Sequence, residues 1–232
     1  MKKPYLSVIV PVHNGESFMR KGLDSIRSQV YDDYELIVVC DNCQDKSVEI
    51  AREYADKVIV TQFGLDGLAR NAGLDEAEGE CVLFMDHDDW FLHEFAFMQC
   101  AEMMKENPDA DMLVFSFIWK GFNYIDARKR MVIAVWSKCW RRAFIGDTRF
   151  SDRPYWSDVD FHQKIMKRQQ LSNWDRDILD EKQKVYAATD AWACIKLYEE
   201  LMRLEMTHDY ELEIIDNGIQ ENIPQKGQGG ES

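Results

Sequence analysis

The sequence predicts an α/β fold in which a mostly parallel sheet is flanked by helices. First, short runs rich in β-branched residues recur at 6–12, 34–39, 58–60 and 81–85. Second, the segments between and after these runs carry apolar residues near helical spacing. Third, polar turns directly follow three of the runs, as expected where parallel strands end at the ligand-binding edge of a sheet.

In the first half of this pattern, the strand over 6–12 is a buried β-branched run that stops at a His-Asn-Gly turn. A helix is predicted over 16–29 because its apolar residues recur near helical spacing. The run over 34–39 is a second buried strand. The segment 47–55 is a second helix, because its apolar residues fall on one face.

The second half repeats the pattern. A short third strand is predicted over 58–60, followed by a helix over 67–77. The apolar run over 81–85 is the fourth strand. The helix over 94–107 ends where Pro108 removes a backbone donor and restricts the preceding residue.

Composition places the chain among soluble globular proteins, with 46% hydrophobic and 30% charged residues over 232 positions. We expect one large domain or one domain with a small appendage. The formal net charge of −14 argues against nonspecific binding to nucleic acid, and no nucleic-acid partner is expected. No apolar stretch of about 18 residues is present, so we expect a cytoplasmic protein, with peripheral association at the inner face of a membrane left open.

Six cysteines are spread along a chain in which we recognise no export signal, and we expect them to be reduced. Cys40 and Cys43 have the spacing of half a zinc site, but no second ligand pair with suitable spacing accompanies them. The sequence therefore favours free thiols.

An acidic loop follows the fourth strand, with Asp86, Asp88 and Asp89 in four residues. Their mutual repulsion favours a bound cation, and oxygen ligands suit Mn²⁺ or Mg²⁺. The polar segments 11–14 and 40–45 also follow strands, so all three should meet at one crevice. The alternative is a solvated acidic turn that caps the next helix.

The residues that carry a family resemblance occur in five ordered segments. They are Ser7-Val8-Ile9-Val10-Pro11-Val12-His13-Asn14, Val39-Cys40-Asp41-Asn42-Cys43-Gln44-Asp45-Lys46-Ser47, Gly67-Leu68-Ala69-Arg70-Asn71-Ala72-Gly73-Leu74, Ala77-Glu78-Gly79-Glu80 and Asp86-His87-Asp88-Asp89. In this order they resemble the motifs of family 2 glycosyltransferases, over about residues 5–166. The resemblance implies the GT-A fold of nucleotide-diphospho-sugar transferases and a nucleotide-sugar donor, with a UDP-sugar favoured.

The resemblance also implies roles for five residues. Pro11 and Asp41 would line the nucleoside pocket, and Arg70 would face the base or the diphosphate. Asp86 would touch the ribose or the metal, and Asp88 would be a metal ligand. Alternatives stay open: Pro11 ends a strand, Asp41 caps a turn, or Arg70 pairs with a surface carboxylate.

An inverting transfer also needs a base for the acceptor hydroxyl. Asp158 resembles the family's base at the start of a helix, although Ser157 stands where the family usually has Glu. A second departure is Cys40, where the family commonly has an acid. The alternative is that Ser157 and Asp158 only cap this helix.

We divide the chain into a glycosyltransferase domain over 1–166, a helical appendage over 167–210 and a largely disordered tail over 211–232. About residues 169–204 resemble the closing segment of DEDDy-type 3′-5′ exonuclease domains, with Tyr186 and Asp190 matching its last motif. The preferred interpretation of that segment is an amphipathic helix that packs on the transferase body.

The leading hypothesis is an inverting glycosyltransferase of polysaccharide biosynthesis that adds one sugar to a glycan or lipid-linked acceptor. The alternatives are a catalytically inactive nucleotide-binding or interaction module and an exonuclease remnant. Calorimetric binding together with donor turnover would separate the first two, and an assay with a labelled oligonucleotide would test for nuclease action.

Overall fold

The structure, a computed structural model, describes residues 2–119, 123–125 and 134–170. The strands are β1 Leu6–Val12, β2 Tyr34–Asp41, β3 Lys57–Thr61, β4 Cys81–Phe84, β5 Met112–Val114, β6 Phe117–Trp119, β7 Asn123–Ile125 and β8 Lys138–Arg141. The helices are α1 Met19–Arg27, α2 Ser47–Tyr54, α3 Asp66–Glu76, α4 Ala96–Glu106, α5 Arg142–Ile145 and α6 Ser157–Gln170, with a 3₁₀ turn at Val135–Ser137. The four strands and four helices predicted before residue 110 are confirmed, with ends that differ by a few residues.

Among the described residues, six strands form one sheet in the order β3-β2-β1-β4-β8-β5. The pairs among β1, β2, β3 and β4 are parallel, with Leu6 opposite Tyr34 and Cys81 in the two central pairings. β8 runs antiparallel to both β4 and β5. The predicted α/β class with a mostly parallel sheet is confirmed, and the antiparallel edge is an addition to it.

Successive strand side chains point to opposite faces of the sheet, and helices cover both faces, so two cores form. Val8 and Val10 of β1 pack in the core that α1, α2 and α4 cover, whereas Ile9 packs in the core with α3 and α6. Helix α3 lies very close to the sheet at Gly73, where an added Cβ would lie 2.4 Å from Cγ2 of Ile9. This close approach places the polar residues of α3 beside the strand ends.

The turns after β1 and β2 are linked to each other. Asn14 and Asn42 both have a positive φ, 50° and 52°, a conformation that Asn tolerates better than most residues. The backbone N–H of Gln44 donates to Oδ1 of Asn14 at 2.8 Å, and that of Gly15 donates to the Ser47 hydroxyl at 2.8 Å. The two strand-end loops are therefore fixed as one unit.

Helix α6 crosses the boundary predicted at residue 166 and continues to Gln170. The rest of the predicted appendage and the whole predicted tail lie outside the described residues, as do Tyr186 and Asp190. Over the residues that are described, no helix combines the length and the apolar character needed to cross a bilayer.

Candidate active site

A cleft of about 640 Å³ lies at the carboxyl ends of the parallel strands. Its walls come from the turns after β1, β2 and β4, the start of α3 and the segment before α6. The five predicted binding residues Pro11, Asp41, Arg70, Asp86 and Asp88 all line it. The strand-end argument expected the segments 11–14, 40–45 and 86–89 to meet at one crevice, whereas Arg70, which the resemblance added, lies in α3.

Arg70 is the centre of the charged groups in the cleft. It projects from α3, and only 4% of its surface is exposed. Its guanidinium is 2.8 Å from Oδ1 of Asp86 and 3.4 Å from Oδ1 of Asp158, and it also donates to Asp66 one turn earlier in α3. One buried cation thus holds carboxylates from three separate elements.

The carboxylates around Arg70 further favour its charged form. Burial alone lowers the pKa of the guanidinium, but the negative charges of Asp86, Asp158 and Asp66 outweigh that effect and raise it. Three carboxylates against one guanidinium leave an excess negative charge at this end of the cleft. The alternative that Arg70 pairs with a surface carboxylate holds for Asp66, whose side chain is 51% exposed, but Arg70 also contacts Asp86 and Asp158.

Asp158 lies at the start of α6 and is held from two sides. Its Oδ2 accepts a hydrogen bond of 3.1 Å from the backbone N–H of Val135, and its Oδ1 faces Arg70. Burial raises the pKa of this carboxyl, Arg70 and the Val135 N–H lower it, and Asp86 and Asp66 raise it again, with a net upward shift. A carboxylate with a raised pKa is a better proton acceptor near neutral pH.

Two more titratable groups pack beside Asp158. Lys138 of β8 is fully buried and donates to the carbonyl of Ala134 at 2.8 Å. Burial lowers the pKa of Lys138 to about 8, although Asp158 opposes that shift. Burial, together with the Lys138 charge, lowers the pKa of His162 to about 4, so its imidazole is neutral at physiological pH. Lys138 is thus the buried cation on the β8 side of Asp158.

Asp41 organises the chain after β3. Its Oδ1 accepts from the Thr61 hydroxyl at 2.9 Å and from the backbone N–H of Phe63 at 2.7 Å, and its Oδ2 accepts from the N–H of Leu65 at 3.1 Å. A carboxylate has about four acceptor positions, so one position on Oδ2 is left for a donor in the cleft. Asp41 therefore fixes a turn and still offers one acceptor to a ligand.

The acidic loop after β4 presents its carboxylates differently. Asp86 faces Arg70, whereas Asp88 is exposed at the cleft wall. Loss of water, together with repulsion from Asp86 and Asp88, raises the pKa of Asp89 to about 6. No group of three or more His, Cys, Asp or Glu side chains in the described part of the chain has metal-binding geometry, so protein ligands alone do not form a complete metal site there.

The sequence departs from the family pattern at Cys40 and Ser157, and neither residue lines the cleft. Cys40 is fully buried in the core with α1 and α2, and burial raises the pKa of its thiol to about 12. The Ser157 hydroxyl donates to Oδ2 of Asp66 at 3.1 Å, joining α6 to the Arg70 group. Ser157 and Asp158 thus bond to α3 and the 3₁₀ turn, a role beyond capping their own helix.

Sequence reasoning missed three residues of the site: Asp66, Lys138 and Tyr155. Asp66 could have been found, because it precedes Arg70 by four residues and opposite charges at that spacing meet on a helix. Tyr155 lines the cleft from the loop before α6. Lys138 gave no signal, since a charged residue in a short strand does not predict full burial.

A second and larger cavity of about 790 Å³ lies beside the cleft, between α4 and the segment from β5 to β6. Most of its lining is apolar or aromatic and includes Trp90, Phe117 and Trp136. Asp86 and Asp88 line both cavities, so the two meet at the acidic loop. Arg70, together with the Asp66 and Asp86 carboxylates that it binds, lines the smaller cleft, which is therefore the candidate active site.

Comparison with curated proteins identifies related chains. The putative glycosyltransferase EpsH of Bacillus subtilis (strain 168) is 37% identical over 119 residues, covering 49% of this chain and 33% of EpsH. The poly(ribitol-phosphate) β-glucosyltransferase of Bacillus spizizenii is 35% identical over 111 residues, covering 44% of this chain and 17% of that protein. Each match thus covers a third or less of the length of the curated relative.

Solved structures show the same fold. S. aureus TarS 1–349 in complex with UDP superposes with a TM-score of 0.62 at 26% identity, covering 69% of this chain and 54% of that chain. Its complex with UDP-GlcNAc gives the same TM-score and identity over 70% of this chain and 52% of that chain. The GT-A fold predicted from the motifs is confirmed.

Two family models match the chain. A model described as 3'-5' exonuclease matches residues 158–204, most of which lie outside the described residues. The model described as glycosyl transferase family 2 matches residues 7–174, which include the cleft and Asp158. With the fold and the five ordered motifs, this match shows that the chain belongs to glycosyl transferase family 2.

Proposed function

We propose that this chain is an inverting glycosyltransferase that moves a sugar from a UDP-sugar to a hydroxyl group of a glycan or lipid-linked acceptor. The observation that carries the proposal is the position of Asp158, which shares the buried guanidinium of Arg70 with Asp86 at the end of the cleft. This arrangement puts a candidate base beside the residues expected to bind the donor, as inverting transfer requires.

The nucleoside would bind at Pro11 and Asp41. The free acceptor position on Asp41 suits a base that presents a ring N–H, as uracil does. Oδ1 of Asp41 already accepts two hydrogen bonds, so the carboxylate is fixed before a ligand arrives. TarS, which is 26% identical, has been solved with UDP and with UDP-GlcNAc, which supports a uridine donor.

Asp88, with Asp86 beside it, would hold Mn²⁺ or Mg²⁺ together with the donor phosphates. Magnesium-type sites in proteins often use one or two carboxylates and complete their coordination with phosphates and water, which fits the absence of a complete donor set among the described residues. When bound, such a cation would neutralise charge on the diphosphate leaving group.

Asp158 would act on the acceptor. The acceptor oxygen attacks the anomeric carbon of the donor sugar, the new C–O bond forms, and the bond to the diphosphate oxygen breaks. The acceptor proton passes to a carboxylate oxygen of Asp158. The hydrogen bond from Val135 and the ion pair with Arg70 fix the orientation of this carboxylate. Fixed orientation reduces the entropy lost on reaching the transition state.

The apolar cavity, which meets the cleft at Asp86 and Asp88, would hold the part of the acceptor that lies beyond the reacting sugar. Its aromatic lining suits the apolar faces of sugars or a lipid-linked carrier. The relative from Bacillus spizizenii is named for glucosylation of poly(ribitol-phosphate), which supports a glycan-type acceptor in polysaccharide biosynthesis.

The test combines binding and turnover. Calorimetry with UDP and Mn²⁺ and assays of UDP release from UDP-glucose, UDP-galactose and UDP-GlcNAc would be run on the wild type and on Asp158→Asn. We expect UDP affinity within about twofold and turnover lowered about 100-fold or more, as for loss of a general base. Asp160→Asn is the matched control, because Asp160 lies in the same helix and pairs with Lys164 at 2.7 Å.

The control should keep wild-type turnover. Turnover by Asp158→Asn within about threefold of the wild type would refute the assignment of the base. A wild type that binds UDP but turns over none of the donors would favour an inactive nucleotide-binding module.

A further inference from the structure

Two aromatic side chains stand in solvent directly before α6, and one of them, Tyr155, lines the cleft. Tyr155 is 76% exposed and Trp156 is 78% exposed, whereas the next residue, Ser157, is 3% exposed. Large aromatic residues are seldom left so open, because each buries a large apolar area when it packs. Neither ring contributes to the core over the described residues.

The loop that carries these rings is held at both ends. The Asn71 side chain accepts from the backbone N–H of Phe150 and donates to its carbonyl, both at 2.9 Å. At the other end the Ser157 hydroxyl donates to Asp66. The loop also passes so close to α3 that an added Cβ at Gly67 would lie 3.1 Å from Cβ of Ser157. Exposure of the rings is thus a feature of an anchored loop.

The backbone of Trp156 has φ of +65°, in the left-handed region. A bulky side chain rarely adopts this conformation, which favours Gly or Asn. The carbonyl of Trp156 accepts the N–H of Asp160 at 3.1 Å and so begins α6, at a position where small polar residues are preferred. An exposed Trp in a strained conformation gains nothing for folding, and such positions often belong to functional sites.

The location of the rings indicates what they contact. Tyr155 lines the cleft together with Arg70 and Asp88, and Trp156 precedes the candidate base Asp158 by two residues. The donor diphosphate is expected deeper in the cleft, beside the charged groups. An aromatic surface next to the base is in the right place for the molecule whose hydroxyl loses its proton.

We propose that Tyr155 and Trp156 form a platform that stacks on the pyranose ring of the acceptor. The proposal rests on the proposed glycosyltransferase function. One face of a pyranose presents C–H groups that pack against an aromatic ring, while its hydroxyl groups stay at the edge in water. A platform two residues from Asp158 would orient the attacking hydroxyl toward that carboxylate.

The test uses Trp156→Gly, because glycine adopts φ of +65° without strain and keeps the backbone. Initial rates would be measured with the UDP-sugar that the wild type turns over, and with the octyl glycosides of glucose, galactose and N-acetylglucosamine as acceptor probes. We expect the acceptor KM to rise about tenfold, as for loss of an aromatic anchor, with UDP affinity and acceptor-independent donor hydrolysis unchanged.

Two further variants complete the test. Trp156→Phe keeps a ring and should restore most of the acceptor affinity. Phe18→Ala removes an aromatic side chain that is 59% exposed before α1 and should leave the acceptor KM unchanged. If the acceptor KM rises only when the ring at position 156 is removed, and thermal stability is unchanged, the ring binds the acceptor and does not have a structural role.

Three results would overturn the platform. An acceptor KM of Trp156→Gly within about twofold of the wild type would do so, since an anchor contributes more than that. Failure of the wild type to bind or glycosylate any of the octyl glycosides, while it still hydrolyses the donor, would do so and would leave the proposed function intact. A wild type that uses no donor at all would refute the proposed function, and the platform with it.

Discussion

Replacing Arg70 by Met tests the charged group at the centre of the site. Met keeps much of the side-chain length and removes the charge and all the N–H donors. Asp66, Asp86 and Asp158 then lose the cation that they share. We expect the folded state to be less stable at neutral pH because the carboxylates repel one another.

The magnitude follows from burial. Removing one partner of a buried ion pair costs about 3–5 kcal/mol. The side chains of Asp66, Asp86 and Asp158 are 51%, 31% and 24% exposed, so they recover part of their hydration when the guanidinium is gone. We therefore expect the low end, a loss of about 3 kcal/mol in the free energy of unfolding at pH 8.

The pH dependence follows from Asp158. Its pKa is already raised in the folded chain, and Arg70 is the main group that lowers it. Without Arg70 the folded-state pKa rises further above that of the unfolded chain, so the folded variant binds a proton more readily. The loss of folding stability in the variant should be full at pH values above this raised pKa and should become smaller as the pH falls through it.

Urea denaturation at pH 8 and pH 5 measures both effects. Arg70→Lys keeps the charge without the planar fork and should lose about half as much stability. The double variant with Asp86→Asn should recover part of the loss, which a double-mutant cycle quantifies. A deficit below about 1 kcal/mol at pH 8, or one that grows at pH 5, would refute the reasoning.

Two further predictions concern the backbone around the cleft. Asp41→Ala leaves the N–H groups of Phe63 and Leu65 without their acceptor, so it should lower the free energy of unfolding by about 3 kcal/mol, measured by urea denaturation. It should also abolish measurable UDP binding. Asp41→Asn should lose less stability. Gly73→Ala pushes a methyl group to 2.4 Å from Cγ2 of Ile9 and should lower stability by about 1–3 kcal/mol; an unchanged denaturation midpoint would show that α3 can move away from the sheet.

The central strands were predictable because their chemistry is local. The run 6–12 is β-branched, buried on both faces and paired in parallel on both sides, which is the environment that such a run predicts. β8 was not predictable, because Lys138–Arg141 has two charged ends and gains its strand geometry only by antiparallel pairing with β4 and β5. Tertiary contacts therefore decide the conformation of this segment, and its own strand propensity does not.

The site residues likewise divide into those that the sequence could place and those that it could not. Asp41, Asp86 and Asp88 follow predicted strands and Pro11 lies near the end of one, so topology alone placed them at one edge of the sheet. The contact between Arg70 and Asp158 depends on how α6 packs on α3 and could not be read from spacing. The N–H of Val135 that bonds Asp158 belongs to the backbone, and no side-chain pattern in the sequence marks it.

The departures at Cys40 and Ser157 bear on whether the site is active, because the sequence left an inactive module open. Cys40 packs in the core, so an acid at that position would not be part of the Arg70 group without a change in the strand end. A carboxylate in place of Ser157 would lie beside Asp66 and add repulsion, whereas the hydroxyl donates to Asp66. The serine thus relieves charge next to Arg70 and leaves Asp158 with both of its contacts. The natural serine is therefore compatible with the proposal that Asp158 is the base, under a different local balance of charge.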